Sequence, residues 1–261
     1  MAKQNGLFKF TGKLDNVIGY RRKGVYCVRT MPEKVTQSAA TRRAAKRFGI
    51  VSRKGKLIRR AVRPYLDTHY DGTFVNRLNR ALIQAGIDNL QGIQGFQFNR
   101  VTGLEKIITL APQLMEDGHV HIPAQELPPL GKATHLEITL ITARVNFAEK
   151  RIVDVNTDLK VFELDEPFNG ADLYAPVPGK GTLIVIVQAR TCSTCNGRLY
   201  PIGGRRYSAA NIIAVVPPLM LQQLPARKNR QGKRIAYPSP AQHSAFLKEN
   251  ILQPVVTPPR E

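Results

Sequence analysis

The sequence predicts an α+β protein with an N-terminal basic β-hairpin, a long amphipathic helix, a short helical connector, an antiparallel β-sandwich and a basic tail. Three observations predict this class. Apolar residues recur with a helical period over residues 40–62, segments rich in Val, Ile, Leu and Thr follow over residues 119–216, and basic residues are concentrated at both ends. The 261 residues are 43% hydrophobic and 22% charged, which is typical of a globular protein.

Charge is distributed unevenly along the chain. The 39 Lys/Arg and 19 Asp/Glu residues give a net charge of +20. Residues 1–70 carry 18 basic and 3 acidic side chains, residues 71–225 carry 14 of each, and residues 226–261 carry 7 and 2. Because the excess lies at the two ends, it predicts a polyanionic partner, such as nucleic acid or an acidic protein surface.

The first predicted element is a β-hairpin. Residues 17–21 and 25–29 are two β segments that flank Arg22-Lys23-Gly24, where the glycine can adopt the positive φ of a tight turn. Four cations of the hairpin are candidates for phosphate contact: Arg21, Arg22, Lys23 and Arg29. Aromatic residues alternate with these cations, and we expect the following rings to pack the hairpin onto the next helix: Phe8, Phe10, Tyr20 and Tyr26.

A long helix is predicted next, with Thr36 or Ser38 as its N-cap and Pro64 at its end. Small and apolar residues from Ala40 to Val62 recur at steps of three and four and define a packing stripe. Acidic residues are nearly absent from the opposite face, so ion pairs one turn apart do not explain its cations. The candidates for phosphate contact on this helix are Arg42, Arg43, Lys46, Arg53, Lys56, Arg60 and Arg63.

The pattern divides the chain into four segments. Residues 1–66 are the hairpin and helix module, and residues 67–94 are a connector with one helix at 74–85. Residues 95–225 are predicted to form the antiparallel β-sandwich, with strands at 119–122, 135–145, 151–164, 182–189 and 207–216. Residues 226–261 are a basic, Pro-rich tail, whose candidate phosphate contacts are Arg227, Lys228, Arg230, Lys233 and Arg234.

Cys192-Ser-Thr-Cys195 has the spacing of half a zinc site or of a redox pair. A closed zinc site needs two further ligands, and the candidates are His119 and His121, which share one face of a predicted strand. The chain has no second C-x-x-C, so we interpret this motif as a β-turn with two thiols. We find no catalytic constellation either, and we expect a non-enzymatic protein without a metal, another cofactor or a small-molecule substrate.

The remaining features bear on location. The first residues lack the apolar core of a secretory signal, and no apolar stretch is long enough to span a bilayer. The three cysteines are an odd number, which favours reduced thiols over a disulfide framework. We therefore expect a cytoplasmic protein, or one inside a particle assembled in the cytoplasm, that does not act on a membrane.

Residues 12–20, together with Lys23-Gly24, Val28-Arg29 and Met31-Pro32, carry a segment of the form G-K-x-x-N-x-x-G…K-G…R-x-x-P. This segment resembles the start of an uncharacterised bacterial family that is filed as a domain of unknown function. The resemblance covers about the first 65 residues and implies a basic helix followed by a β-rich region. It implies no activity and no site residues, but it implies that three glycines serve backbone geometry: Gly12, Gly19 and Gly24.

Two classes of function remain open. The first is a sequence-nonspecific nucleic-acid or polyanion binding protein that acts through its Lys/Arg clusters. The alternative is a self-assembling structural subunit of a filament, phage particle or similar assembly, which could enclose nucleic acid. Self-association into an oligomer is expected in the second case and compatible with the first.

Overall fold

The computed structural model describes residues 2–34, 36–67 and 72–218. These residues form three antiparallel sheets and two α-helices, which confirms the predicted α+β class. The chain divides into two compact units, Met1–Lys46 and Arg47–Glu261, and the boundary between them lies inside a helix. Within the described residues, no helix has both the length and the hydropathy needed to cross a membrane.

The first unit contains a four-stranded antiparallel sheet. Its strands are β1 (Ala2–Lys3), β2 (Gly12–Leu14), β3 (Val17–Arg22) and β4 (Val25–Thr30), in the spatial order β1-β4-β3-β2. The hairpin predicted from the sequence is formed by β3 and β4, whose register pairs Arg22 with Val25. Its two turn residues, Lys23 and Gly24, have φ values of 49° and 83°, which is the left-handed geometry that a two-residue hairpin requires.

Two glycines of this unit have identifiable backbone roles beyond the hairpin turn. A Cβ at Gly19 would lie 2.5 Å from the carbonyl oxygen of Phe10, so only glycine permits this close approach. Gly12 has a φ of 112°, in a region that other residues rarely adopt. The structure therefore gives Gly12 and Gly19, like Gly24, a geometric reason to be glycine.

The first helix, α1 (Ala39–Val62), begins after Ser38. The backbone N–H of Thr41 donates to the Ser38 hydroxyl at 3.2 Å, so Ser38 rather than Thr36 caps the helix. A 3₁₀ turn at Arg63–Tyr65 follows, with Pro64 at a position where its missing N–H costs no helical hydrogen bond.

The second unit contains α2 (Phe74–Ala85) and two further antiparallel sheets. The strands are β5 (Gln113–Leu114), β6 (Val120–Ile122), β7 (His135–Asn146), β8 (Arg151–Glu163), β9 (Ala171–Leu173), β10 (Thr182–Cys195), β11 (Arg198–Pro201) and β12 (Ser208–Val216). The small sheet has the order β5-β6-β9, and the other five strands form the large sheet. Strand β10 is central in the large sheet, because β7 pairs along one side of it and β12 and β11 pair along the other.

Both faces of the large sheet are covered, which explains the nearly continuous apolar run of β10. Leu183 and Val185 join a core with β6 and β9 of the small sheet. Ile184 and Ile186 point the other way and join a second core with Ile58 of α1 and with α2. The helix expected in the connector therefore contributes to the main body of the second unit.

Candidate nucleic-acid interface

The hairpin cations of the first unit lie at the surface. Arg21, Arg22, Lys23 and Arg29 are all exposed. Arg21 Nε donates to the Gly24 carbonyl at 3.2 Å, and its guanidinium lies 5.5 Å from the centroid of the Tyr26 ring. Lys9 Nζ lies 5.8 Å from the same centroid. Residues 1–46 carry eleven Lys/Arg and two Asp/Glu, a net charge of +9, so this cluster lies in a strongly positive unit.

Three further candidates of this unit lie in the first two turns of α1. Arg42, Arg43 and Lys46 are exposed, and no acidic side chain occurs within α1 to pair with them. Ion pairs between residues three or four apart in α1 therefore do not neutralise these cations.

The part of α1 that belongs to the second unit carries the predicted basic stripe. Arg53, Lys56 and Arg60 are exposed, and at 100° per residue they fall within about 60° of one another. They follow one another over about 10 Å of helix. Arg63 is also exposed but lies just beyond α1, in the 3₁₀ turn Arg63–Tyr65. Val51 and Ile58 are buried on the opposite side. The structure thus separates a packing stripe from a basic stripe over the second half of α1, whereas Ala40, Ala44 and Phe48 of the predicted packing stripe are exposed.

Two other cations of α1 are partly buried, which the sequence did not reveal. Lys54 donates to the carbonyl of Ile87, and its Nζ lies 5.7 Å from the centroid of the Phe147 ring. Arg59 is half-buried beside Gly55. By contrast, Arg53, Lys56 and Arg60 make no ion pair with any residue that the structure describes. These three cations are the clearest candidates for contact with an external polyanion.

The turn before β12 carries two cations that the sequence reasoning missed. Arg205 and Arg206 are both exposed. Asn99 Nδ2 donates to the Arg205 carbonyl at 2.7 Å, and the Thr102 hydroxyl donates to it at 3.0 Å, so the backbone of this turn is fixed. The run Gly-Gly-Arg-Arg between two predicted strands was the feature of the sequence that could have predicted this basic turn. The five candidates at 227–234 lie outside the described residues.

The C-x-x-C motif does not form a turn, so that interpretation was wrong. Cys192–Cys195 are the last four residues of β10, and the turn lies beyond them at Asn196-Gly197. Because side chains alternate along a strand, residues three apart point to opposite faces. Cys192 is buried and Cys195 is exposed, so the two sulfurs do not converge on one metal ion.

The two histidines named as further ligands have other partners. The His119 ring stacks on Tyr174 with centroids 4.2 Å apart, and His121 Nδ1 lies 2.7 Å from a carboxylate oxygen of Asp172. Val120 and Ile122 point into the core shared by the two sheets, so these histidines lie on the other side of the small sheet. Among the described residues, no three His, Cys, Asp or Glu side chains form a metal-binding group.

A buried ionic cluster is the feature that the sequence reasoning overlooked. Arg190 Nη2 donates to Glu137 at 2.8 Å and Nη1 donates to Asp67 at 3.2 Å. The Asp67 N–H donates to Gln188 Oε1 at 2.8 Å, which ties the chain after α1 to β10. Burial alone lowers the pKa of Arg190, but the hydrogen bond and the charge of Glu137 outweigh it and raise this pKa. The cluster keeps the Arg190 guanidinium charged within the large sheet, and its geometry is that of a structural ion pair.

The same environment makes Cys192 unreactive. Burial and the nearby Glu137 carboxylate raise the pKa of Cys192 to about 11. Its thiol is therefore protonated near neutral pH, and the thiol form is neither a nucleophile nor a metal ligand.

Comparison of the chain with protein-family models, with curated proteins and with solved structures found no match. The resemblance of residues 12–32 to an uncharacterised bacterial family stays a prediction.

Proposed function

We propose that this protein binds nucleic acid without sequence specificity, through exposed Lys and Arg side chains that contact the phosphate backbone. The observation that supports it best is the composition of α1, which carries nine Lys/Arg and no Asp/Glu in 24 residues. Lys54 has partners within the protein and Arg59 is half-buried, whereas Arg53, Lys56 and Arg60 are exposed on one stripe.

The physical basis is the release of counterions. Each phosphate that a cation neutralises frees condensed counterions, so binding is strong at low salt and weakens steeply as salt increases. Such contacts fix the protein on the backbone and carry no sequence information. The expected binding is therefore general for nucleic acids, with the exposed cations of the hairpin and of α1 as its source.

The experiment is a binding titration of labelled oligonucleotides, followed by fluorescence anisotropy at 50 mM salt. In the test variant, Arg53, Lys56 and Arg60 are replaced by Gln. In a matched control, Lys132, Lys160 and Lys180 are replaced by Gln, since these are exposed cations of the charge-balanced region. The two variants have equal net charge, so only loss of a specific surface lowers affinity in the first more than in the second. Equal affinities of the two variants would show that the cations of α1 do not form the nucleic-acid binding surface.

A second candidate function is a self-assembling structural subunit, and one observation favours it. In the described part of the first unit, Cys27 is the only hydrophobic side chain that is buried. Leu14 and Val25, by contrast, are 60% and 43% exposed. A sheet with so little core of its own is typical of a segment that is covered in an assembly. Light scattering of the purified chain with and without nucleic acid separates the two candidates, because assembly predicts large particles that persist in high salt and without nucleic acid.

A further inference from the structure

The loop between β1 and β2 presents two apolar side chains to solvent. Leu7 is 99% exposed and Phe8 is 93% exposed. The expectation that Phe8 packs the hairpin is therefore wrong. Exposure of an aromatic ring to this degree forgoes the favourable free energy of burying it, so a use for the ring outside the folded chain has to be considered.

The base of this loop is fixed by hydrogen bonds from Gln4. Its side-chain Nε2 donates to the carbonyls of Phe10 and Cys27 at 3.1 and 2.9 Å, and its Oε1 accepts from the Phe10 N–H at 2.9 Å. The Gln4 N–H donates to the Tyr26 carbonyl at 2.9 Å. The loop is thus closed on β4, and the Phe8 ring lies at its tip.

Phe10, unlike Phe8, packs against the sheet of the first unit. A Cβ at Gly19 would lie 2.8 Å from the ring of Phe10, so this ring lies directly against β3. Phe10 is half-buried, whereas Phe8, two residues earlier, makes no such contact. Only one of the two rings is used by the fold.

The charge around the loop indicates what kind of partner the free ring has. Lys9 follows Phe8 directly, and the Lys9 ammonium and the Arg21 guanidinium both lie near the Tyr26 ring. The unit carries a net charge of +9, which disfavours docking to a second copy of itself. Exposed aromatic rings beside cations are what single-stranded nucleic acids require, because bases stack on the ring and cations hold the phosphates.

We propose that Phe8 stacks on an unpaired base of single-stranded DNA or RNA, while Lys9 and Arg21 contact the adjacent phosphates. This inference rests on the proposed nucleic-acid binding and specifies its substrate class. A duplex keeps its bases stacked on one another, so it offers such a ring a base face only at its ends. Preference for a single strand over a duplex of equal charge follows.

The test uses the absence of tryptophan from the chain. Phe8→Trp introduces one fluorophore at the loop tip, and Met115→Trp introduces one at an exposed position beside Glu116 and Asp117. On titration with oligothymidine at 50 mM salt, we expect the emission of Phe8→Trp to be quenched and to saturate. We expect the emission of Met115→Trp to stay unchanged, and duplex DNA to quench Phe8→Trp far less.

Affinity provides the second readout, with anisotropy of labelled oligothymidine. Phe8→Ala is expected to weaken binding by about 5- to 150-fold, the range for loss of one stacked base. Phe8→Tyr keeps a ring and is expected to bind like the wild type, and Leu7→Ala is expected to change affinity little.

The outcomes separate this inference from the function on which it rests. Salt-dependent binding of oligothymidine without quenching, and with Phe8→Ala unaffected, would overturn the stacking inference and leave the proposed function intact. No binding to either a single strand or a duplex would overturn both. A blue shift of the Phe8→Trp emission that grows with protein concentration alone would assign the ring to a protein contact instead.

Discussion

Replacement of Glu137 by alanine tests the buried ion pair that joins β7 to β10. Arg190 and Glu137 occupy directly opposite positions in the register of the two strands. Glu137 is 4% exposed and its oxygen lies 2.8 Å from Arg190 Nη2. Removal of the carboxylate leaves the guanidinium charge in an apolar setting, and breaking a buried pair in this way costs about 3–5 kcal/mol.

In Glu137→Ala, Arg190 keeps a second partner, Asp67, so we expect the loss of unfolding free energy to lie at the lower end of that range. Asp67 lies 3.2 Å from Nη1, but its side chain is 49% exposed. An ion pair with an exposed carboxylate contributes at most about 1 kcal/mol, so Asp67 compensates only a little. We expect Glu137→Ala to lower the free energy of unfolding by about 3 kcal/mol.

The assay is urea-induced unfolding followed by circular dichroism, with Asp67→Asn as the control at the same arginine. Asp67→Asn keeps the backbone hydrogen bond to Gln188 and is expected to cost less than about 1 kcal/mol. Combining Glu137→Leu with Arg190→Met removes both charges and is expected to restore most of the stability. A cost of Glu137→Ala below about 1 kcal/mol, or no larger than that of Asp67→Asn, would contradict a stabilising buried pair between Glu137 and Arg190.

Two further predictions concern a thiol and a pair of glycines. Cys195 is expected to react quickly with iodoacetamide at pH 8 and Cys192 only slowly, because burial raises the pKa of Cys192 to about 11; mass spectrometry that finds Cys192 alkylated as fast as Cys195 would contradict this. Since that pKa lies above the unfolded value of about 8.5, the contribution of Cys192 to stability is complete below pH ~8.5 and is lost as the pH rises towards 11. Gly49→Ala is expected to stabilise the protein by up to about 1 kcal/mol, since a Cβ there meets nothing within 4 Å. Gly55→Ala is expected to destabilise it, because the Cβ would lie 2.7 Å from Asn79 Oδ1. A melting temperature that rises for Gly49→Ala and falls for Gly55→Ala would support the packing of α1, and shifts of the same sign in both variants would contradict it.

The elements that depend on local periodicity could be predicted from the sequence. The hairpin turn at Lys23-Gly24, α1 and the packing stripe of its second half, α2 and the long strands of the large sheet follow from glycine placement, helical spacing and β-branched residues. The predicted strand at 182–189 was too short, because β10 continues to Cys195 as the partner of β11. Pairing of that end depends on the Asn196-Gly197 turn, which lies beyond the apolar run.

The tertiary environment of single side chains could not be predicted. Lys54 and Arg53 are neighbours in sequence with the same charge, yet one has partners within the protein and the other is exposed. Likewise, the Phe8 ring is exposed, whereas the Phe10 ring packs against β3. The ion pair of Arg190 requires the register between β7 and β10, which the sequence does not specify by itself. A single Glu within the apolar run of β7 was the available signal for this pair.

The most direct test of nucleic-acid binding through α1 is the salt dependence of affinity for a duplex oligonucleotide between 50 and 200 mM salt. We expect the logarithm of the binding constant to fall linearly with the logarithm of salt concentration. Replacing Arg53, Lys56 and Arg60 by Gln should reduce the magnitude of that slope by up to about 2.7, or 0.9 for each lost phosphate contact. A wild-type affinity that does not change with salt, or a slope that the three substitutions leave unchanged, would contradict it.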